Sequence, residues 1–185
     1  MSTEIPFGFG SDQYVKVNYD LKNATRNTKI DWIIVVNHRT TYPAEIFNYG
    51  TYHENKRINF DNKIGNEFRQ IYHPLFDKYG VDLVLQAHVH NYQRTYPLKY
   101  NSIRPEIPLI SDHNASDYLD PNGTIFLTVG TGGRSWQLMS PIHKFVYNAF
   151  DSTNNRNLGF GIIALDFEKD GTPLKGTFYN NDDQK

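Results

Sequence analysis

The sequence has no cysteine among its 185 residues. Disulfide bonds, zinc–thiolate sites and cysteine nucleophiles are therefore excluded, and any transition-metal site must use histidine, carboxylate, asparagine or tyrosine side chains. No apolar run approaches the roughly 20 residues that a membrane-spanning helix needs. Met1 leads directly into a polar stretch, so nothing at the start resembles a signal peptide.

An excess of charge of either sign is also absent. The 19 basic and 20 acidic residues give a net charge of −1. Without a strongly basic field we expect no nucleic-acid partner and no binding to an anionic membrane surface. The length and the 38% hydrophobic content are typical of one globular domain with its own core.

Two apolar, β-branched segments, residues 31–38 and 81–85, predict strands that are buried on both faces of a sheet. Between them come a long polar and aromatic loop at 39–60 and a helical spacing of apolar residues from Ile64 to Tyr79. Strand, loop, helix and strand in this order form a crossover unit, which predicts parallel pairing of the two strands. The fold class is therefore α/β. Further predicted elements are a helix at 11–26, a loop at 99–122, a strand at 124–129, a second long loop at 134–157, and a closing hairpin of 161–167 and 174–179 around a turn at 169–172.

Three histidines follow these strands, and they are the sharpest chemical feature of the sequence. His38 ends the first apolar segment, and His88 and His90 follow the second. The carboxyl ends of parallel strands meet at one edge of an open sheet, where ligand sites form. Neutral imidazole is a common ligand of zinc, iron and manganese, so these residues are candidate metal ligands. Exposed or packed histidines without a ligand are the alternative.

Other polar residues near this edge allow two interpretations. Arg39 and Arg94 are candidates for phosphate contacts, although structural ion pairs are the commoner role of such arginines. The glycine-rich segment 130–133 follows a strand and suits either a phosphate cradle or a tight turn, and the turn is favoured. Asp31 and Asp82 stand at the opposite ends of their strands and are predicted to be structural.

At this point the chain resembles the purple acid phosphatases, which are calcineurin-like metallophosphoesterases. Residues 35–42 resemble the motif V-x-x-H with its trailing H-R-P-x-Y. Residues 75–97 read L-F-D-K-Y-G-V-D-L-V-L-Q-A-H-V-H-N-Y-Q-R-T-Y-P and resemble L-F-x-K-Y-G-V-D-x-V-x-x-G-H-x-H-x-Y-x-R-x-x-P. Residues 122–133 resemble G-T-x-Y-x-x-x-G-x-G-G, and residues 13–21 resemble Q-Y-x-x-L-x-x-D-L. These motifs occur in the family's order over nearly the whole chain.

The resemblance implies a layered sandwich of the calcineurin-like phosphoesterase type and a phosphomonoester substrate. It implies a site of two metal ions, iron with zinc, manganese or iron, about 3.5 Å apart, which activate a hydroxide for in-line attack on phosphorus. By this resemblance His38 and His88 bind one metal and His90 binds the other. An extracellular or otherwise exported location is what the family usually implies.

The resemblance also suggests residues that act on the substrate. His53 is the candidate catalytic histidine in the loop after V-x-x-H, and Arg39 and Arg94 are the candidate substrate-binding residues.

The sequence departs from the family pattern before His38. The motifs G-D-x-x-Y and G-N-H-[DE], which supply a bridging aspartate and further ligands, do not occur there, and Ala87 replaces the glycine of G-H-x-H. Residues 1–185 are therefore expected to be the C-terminal part of a single metallophosphoesterase domain, truncated at its N-terminal half, with an exposed apolar edge strand. Such a chain would hold at most one metal ion weakly and would be inactive alone.

Three hypotheses follow from these departures. The chain is a fragment of a phosphomonoesterase, or an enzyme half that another chain, possibly the missing N-terminal half, completes. Alternatively, it is a non-catalytic binding or surface module that kept the fold and lost the site.

Overall fold

The computed structural model describes most of the chain, namely residues 1–42, 60–114, 117–132, 161–168 and 173–180. Two helices are present there, α1 at Asp12–Arg26 and α2 at Phe60–Tyr79. The strands are β1 Ile34–Val36, β2 Leu83–Gln86, β3 Tyr92–Arg94, β4 Leu98–Lys99, β5 Leu109–Ile110, β6 Ile125–Val129, β7 Gly161–Phe167 and β8 Leu174–Asn180. The predicted loop at 134–157 and the turn at 169–172 lie outside the described residues.

A capping serine marks the start of α1, and a glycine follows the end of α2. The Ser11 hydroxyl caps α1 by accepting a hydrogen bond from the Tyr14 amide at 3.1 Å. Helix α2 continues through Pro74 as one helix. It ends at Tyr79, and the next residue, Gly80, has a φ of +62° in the left-handed region that glycine adopts without steric cost.

The main sheet has four strands in the order β1-β2-β6-β3. Strands β1, β2 and β6 are parallel and β3 is antiparallel to β6. The predicted crossover of β1, α2 and β2 is thus confirmed. The sequence did not predict β3, a three-residue strand that directly follows the His-x-His segment, because it lacks a clear apolar alternation.

Helices and a hairpin cover the two faces of this sheet. On one face Val35, Val84 and Phe126 pack against the two helices. On the other face Leu83, Leu127 and Tyr92 pack against the hairpin of β7 and β8. Alternate residues of a strand point to opposite faces, so each strand contributes to both layers of the core. The predicted α/β layered sandwich is therefore the observed fold.

Strand β1 differs from the prediction that both of its faces are buried. Val35 is 7% exposed, but Val36 is 57% exposed. Val36 points away from the helices, and the hairpin that covers this face stacks on Tyr92 at the far side of the sheet, with Phe178 4.1 Å away between ring centroids. In the described part of the chain β1 is an edge strand, but it has only three residues.

Candidate functional site

His38 and His88 meet at the carboxyl edge of the parallel sheet. Each follows its strand by two residues, and the register pairs Val36 with Leu85. As a result the Nδ1 atom of His88 lies 3.2 Å from the Nε2 atom of His38, with the two rings nearly perpendicular at 78°. Parallel strands bring residues that are 50 positions apart to one point.

A backbone bend places His88 there. His88 has a φ of +67°, in the left-handed region that residues with a Cβ atom seldom occupy. Ala87, which stands where the family motif has glycine, is not among the described residues with positive φ. The bend therefore falls on the histidine itself. Such a conformation costs of the order of 1 kcal/mol and is kept only where surrounding contacts enforce it.

Val89, Gly130 and Asn91 hold the turn that carries His90. Val89 is buried, and the Gly130 amide donates a hydrogen bond to the Asn91 carbonyl at 3.0 Å. His90 lies half-buried in this turn. Within the described residues no three histidine or acidic side chains are grouped closely enough to hold a metal. The structure thus brings His38 and His88 together but does not add His90 to form a three-ligand cluster.

Arg39 lies beside this histidine pair. Its Nη1 atom is 3.4 Å from the Nε2 atom of His88, and its guanidinium forms an ion pair with Glu4 at 2.7 Å. The hydrogen bond from Arg39 lowers the pKa of the Glu4 carboxyl to about 2. Glu4 therefore remains an anion bound to Arg39 throughout the neutral range.

The donors and acceptors around the pair assign the protons. Arg39 can only donate, so the Nε2 atom of His88 accepts and its Nδ1 carries the hydrogen. That hydrogen is donated to the Nε2 atom of His38. A cation held by both facing nitrogens would require the hydrogen on the Nδ1 atom of His88 to move to its Nε2 atom, with the Arg39 contact there broken, because a neutral imidazole coordinates through its unprotonated nitrogen. Two nitrogens about 2.1 Å from one ion at an angle of about 100° lie about 3.2 Å apart, so the pair fits two ligands of one metal.

Arg94, the other predicted substrate-binding arginine, contacts a tyrosine rather than the histidine pair. Arg94 is on β3, where it pairs with Leu127, two positions inside the end of β6. Its guanidinium donates a hydrogen bond to the Tyr118 hydroxyl at 3.1 Å. His53 lies outside the described residues.

Sequence reasoning missed the polar residues that support the histidine segments. Gln86 is the last residue of β2 and is 4% exposed, and its side-chain amide contacts Asn37, Arg39 and Thr41. The hydroxyl of Thr40 donates to the Ala87 carbonyl at 2.7 Å. A glutamine that ends an otherwise apolar strand was the available indication, since a buried amide needs partners.

Gly130 has a structural role rather than one in anion binding. A Cβ atom at this position would lie 1.8 Å from the carbonyl oxygen of Val89. Because its amide already donates to Asn91, it has no hydrogen left for a phosphate oxygen. This agrees with the favoured interpretation of a close turn.

The opposite edge of the sheet holds a cavity of about 300 Å³ lined by Asp77, Asp82, Lys99 and Asp120 among others. Burial raises the pKa of the Asp82 carboxyl, but its oxygen accepts a hydrogen bond from the Ile33 amide at 2.7 Å. This contact ties β2 to the start of β1, as the predicted structural role of Asp82 requires.

Comparison with known proteins identifies purple acid phosphatases among the relatives of this chain, although no protein-family model matches it. Over 132 residues, 71% of this chain, it is 33% identical to the probable inactive purple acid phosphatase 1 of Arabidopsis thaliana. Over 172 residues, 89% of this chain, it is 28% identical to the Fe(3+)-Zn(2+) purple acid phosphatase 12 of the same plant.

A solved structure is similar over the whole chain. The purple acid phosphatase PPD1 from yellow lupin (Lupinus luteus) seeds superposes on 100% of this chain with a TM-score of 0.68 and 25% identity. The chain spans 28% of that protein, and 19% and 31% of the two Arabidopsis relatives.

Proposed function

Because the chain belongs to the purple acid phosphatase family, we propose that it contributes metal-binding histidines to a phosphomonoesterase of the acid phosphatase type. The relatives are about three to five times as long as the matched region. In this proposal residues 1–185 are the C-terminal part of one metallophosphoesterase domain. The remaining ligands come from a preceding segment or from a partner chain that carries it.

The contact between His38 and His88 carries this proposal. Their facing nitrogens are 3.2 Å apart at the carboxyl ends of adjacent parallel strands. One chain supplies both imidazoles with a spacing that suits a single transition-metal ion. His90 is the proposed ligand of a second ion, which needs carboxylate ligands from outside the described residues. The chain alone would therefore hold at most one ion, weakly, and would not be active.

Each residue has a distinct part in this reaction. When bound, the metal ions supply Lewis acidity toward the phosphoryl oxygens and lower the pKa of water. His38 and His88 would hold and orient the first ion, with the His88 hydrogen on its Nε2 atom instead of Nδ1. Arg39 is the proposed phosphate-binding residue, for which its guanidinium must exchange the Glu4 carboxylate for a substrate oxygen. Arg94 remains the proposed second substrate-binding residue, and His53 remains the proposed catalytic histidine.

A non-catalytic binding module is the second candidate function. Two observations favour it: a relative is named probable inactive, and no three-ligand group occurs among the described residues. Such a protein would keep the layered fold and would bind no catalytic metal.

Zinc titration of the purified chain, followed by calorimetry, tests the first proposal. We expect one weakly bound ion per chain, with binding lost in His38→Ala and in His88→Ala. Both variants should unfold at nearly the wild-type temperature, because these side chains contribute little to the core. His113→Ala is the matched control, since this histidine is exposed and contacts Tyr96 rather than the pair.

The two candidate functions give different outcomes. Absence of zinc, iron and manganese binding in the wild-type chain would favour the non-catalytic module. Binding that survives both alanine substitutions would contradict the assignment of the histidines. In a longer product that includes the missing ligands, His38→Ala should abolish hydrolysis of p-nitrophenyl phosphate without unfolding the protein.

A further inference from the structure

We propose that Gln86 is a positioning residue that fixes His38 against His88. This inference rests on the proposed function, because the pair it positions is the proposed metal site. Gln86 ends β2 two residues before His88, and its side chain crosses to the segment that carries His38. Gln86 therefore links the strand that leads to His88 with the residues on either side of His38, without being a ligand itself.

The Gln86 amide is fully used in this position. Its Oε1 atom accepts a hydrogen bond from the Thr41 amide at 3.1 Å. Its Nε2 hydrogens are shared among the Asn37 Oδ1 atom at 3.2 Å, the Arg39 carbonyl at 3.3 Å and the Thr41 hydroxyl. The residues on both sides of His38 are thus bonded to one side chain.

The backbone hydrogen bonds between β1 and β2 reach only as far as His38 and do not hold residues 39–41. The ladder of β1 and β2 ends with the Asn37 amide on the Leu85 carbonyl and the Ala87 amide on the His38 carbonyl. Gln86 adds contacts to Arg39 and Thr41. They act alongside the Asn37 amide on the Arg39 carbonyl, the Thr40 hydroxyl on Ala87 and Arg69 on the Thr41 carbonyl.

A primary amide of this length provides both the acceptor and the donors that its partners need. The site needs an acceptor for Thr41 and donors for two oxygens, and a carboxylate would offer no hydrogen to them. An asparagine would stop about 1.5 Å short of the same partners. Loss of the Gln86 amide leaves the buried Thr41 amide without its acceptor, and the segment can relieve this by moving into water and carrying His38 with it.

Gln86→Met tests the inference, since methionine has a similar shape and no amide. Thr124→Val is the control, because it removes a buried hydrogen bond, from the Thr124 hydroxyl to the Val81 carbonyl, at the opposite edge of the sheet. The metal-free proteins are compared at alkaline pH by ¹⁵N spectra of the imidazole rings, which report the tautomers of His38 and His88. Affinity for Co²⁺ and the visible spectrum of the bound ion are measured next.

We expect Gln86→Met to lose the hydrogen-bonded tautomer pattern of the two rings and to bind Co²⁺ at least about tenfold more weakly, as supporting residues of metal ligands do. Thr124→Val should keep both properties. If Gln86→Met does not fold, Gln86→Asn replaces it, with the same expected losses. A folded variant at position 86 with the wild-type ring spectrum would overturn the inference.

Failure of the proposed function would look different. If the wild-type chain binds no Co²⁺, the metal site is wrong. The ring spectra of the metal-free proteins still decide whether Gln86 positions the pair.

Discussion

Gly130 shows how one missing side chain lets two segments of the site approach each other. A Cβ atom there would lie 1.8 Å from the Val89 oxygen and 2.7 Å from the Val89 carbonyl carbon. Both are backbone atoms in the turn between His88 and His90, so they cannot move aside as a flexible side chain would. The chain after β6 can therefore approach this turn only if position 130 is glycine.

We expect Gly130→Ala to destabilise the fold by about 3 kcal/mol, at the upper end of the usual cost of overpacking. Urea unfolding measures this effect as a lower midpoint. Gly132→Ala is the matched control, since nothing lies within 4 Å of the position that its methyl group would take and its φ is not in the left-handed region. Equal midpoints for the two variants would show that the turn and β6 can separate freely.

The backbone of His88 is the second residue-scale feature. Its φ of +67° is maintained by neighbours on both sides, the Ala87 carbonyl held by Thr40 and the buried Val89. The sequence showed only that Ala87 replaces the glycine of the family motif. It could not show that the next residue takes the left-handed conformation, because only the packing of the turn decides this.

At the scale of elements, α2 anchors the segment that follows β1. Tyr42 is 1% exposed, and its hydroxyl bonds the Nδ1 atom of His73 on α2. The other ring nitrogen of His73 donates to the Leu98 carbonyl at 3.2 Å, so Tyr42 must be the donor in the first bond. Arg69 adds a hydrogen bond to the Thr41 carbonyl at 2.9 Å. The helix thereby fixes residues 41 and 42, a few positions after His38.

Tyr42→Phe should lower the free energy of unfolding by about 1 to 3 kcal/mol, because it leaves the buried Nδ1 atom of His73 without a partner. Tyr79→Phe is the control, since the Tyr79 hydroxyl donates to Asn18 on the more exposed surface of α1. There water can replace the lost bond. Thermal unfolding of the two variants compares them directly, and a larger loss for Tyr79→Phe would contradict the anchoring role of Tyr42.

The hairpin of β7 and β8 is a second element that the tertiary structure ties to the sheet. Gly161 and Thr131 exchange hydrogen bonds, from the Gly161 amide at 3.1 Å and from the Thr131 hydroxyl at 2.7 Å. Phe178 stacks on Tyr92. The sequence predicted the hairpin itself but gave no indication of which face of the sheet it covers.

At the scale of the whole molecule, the buried His73 makes stability depend on pH. Burial lowers the pKa of His73 from 6.5 to about 3. Between these values the unfolded chain binds a proton that the folded chain does not, so the free energy of unfolding falls as the pH is lowered. This contribution is fully present above pH 6.5 and is lost progressively toward pH 3.

We expect His73 alone to reduce the free energy of unfolding by up to about 1.4 kcal/mol per pH unit in this window. Burial raises the pKa values of Asp77 and Asp82, which opposes the loss at the acidic end, so the effect is clearest from pH 6.5 down to about pH 5. Urea unfolding at several pH values measures the slope. His73→Gln, which keeps a donor and an acceptor but does not titrate, should reduce that slope, and an unchanged slope would contradict the assignment.

Sequence and structure contributed differently to the candidate site. The apolar runs before His38 and His88, joined by a helix, were enough to predict parallel strands and a shared sheet edge, and this prediction is confirmed. The short strand β3 and the support from Gln86 were not predictable, because they depend on partners distant in sequence. No membrane-spanning helix is found in the described part of the chain, in line with the absence of a long apolar run.

The sequence by itself determined the class of this protein, since the periodicity of its apolar residues and the order of its motifs are local properties of the chain. Only the tertiary structure decided that His38 and His88 face each other at 3.2 Å, while Arg39 lies between His88 and Glu4. The physical reason is that these distances depend on strand register, on the bend at His88 and on a buried amide. All three are fixed by contacts between segments that the sequence separates by tens of residues.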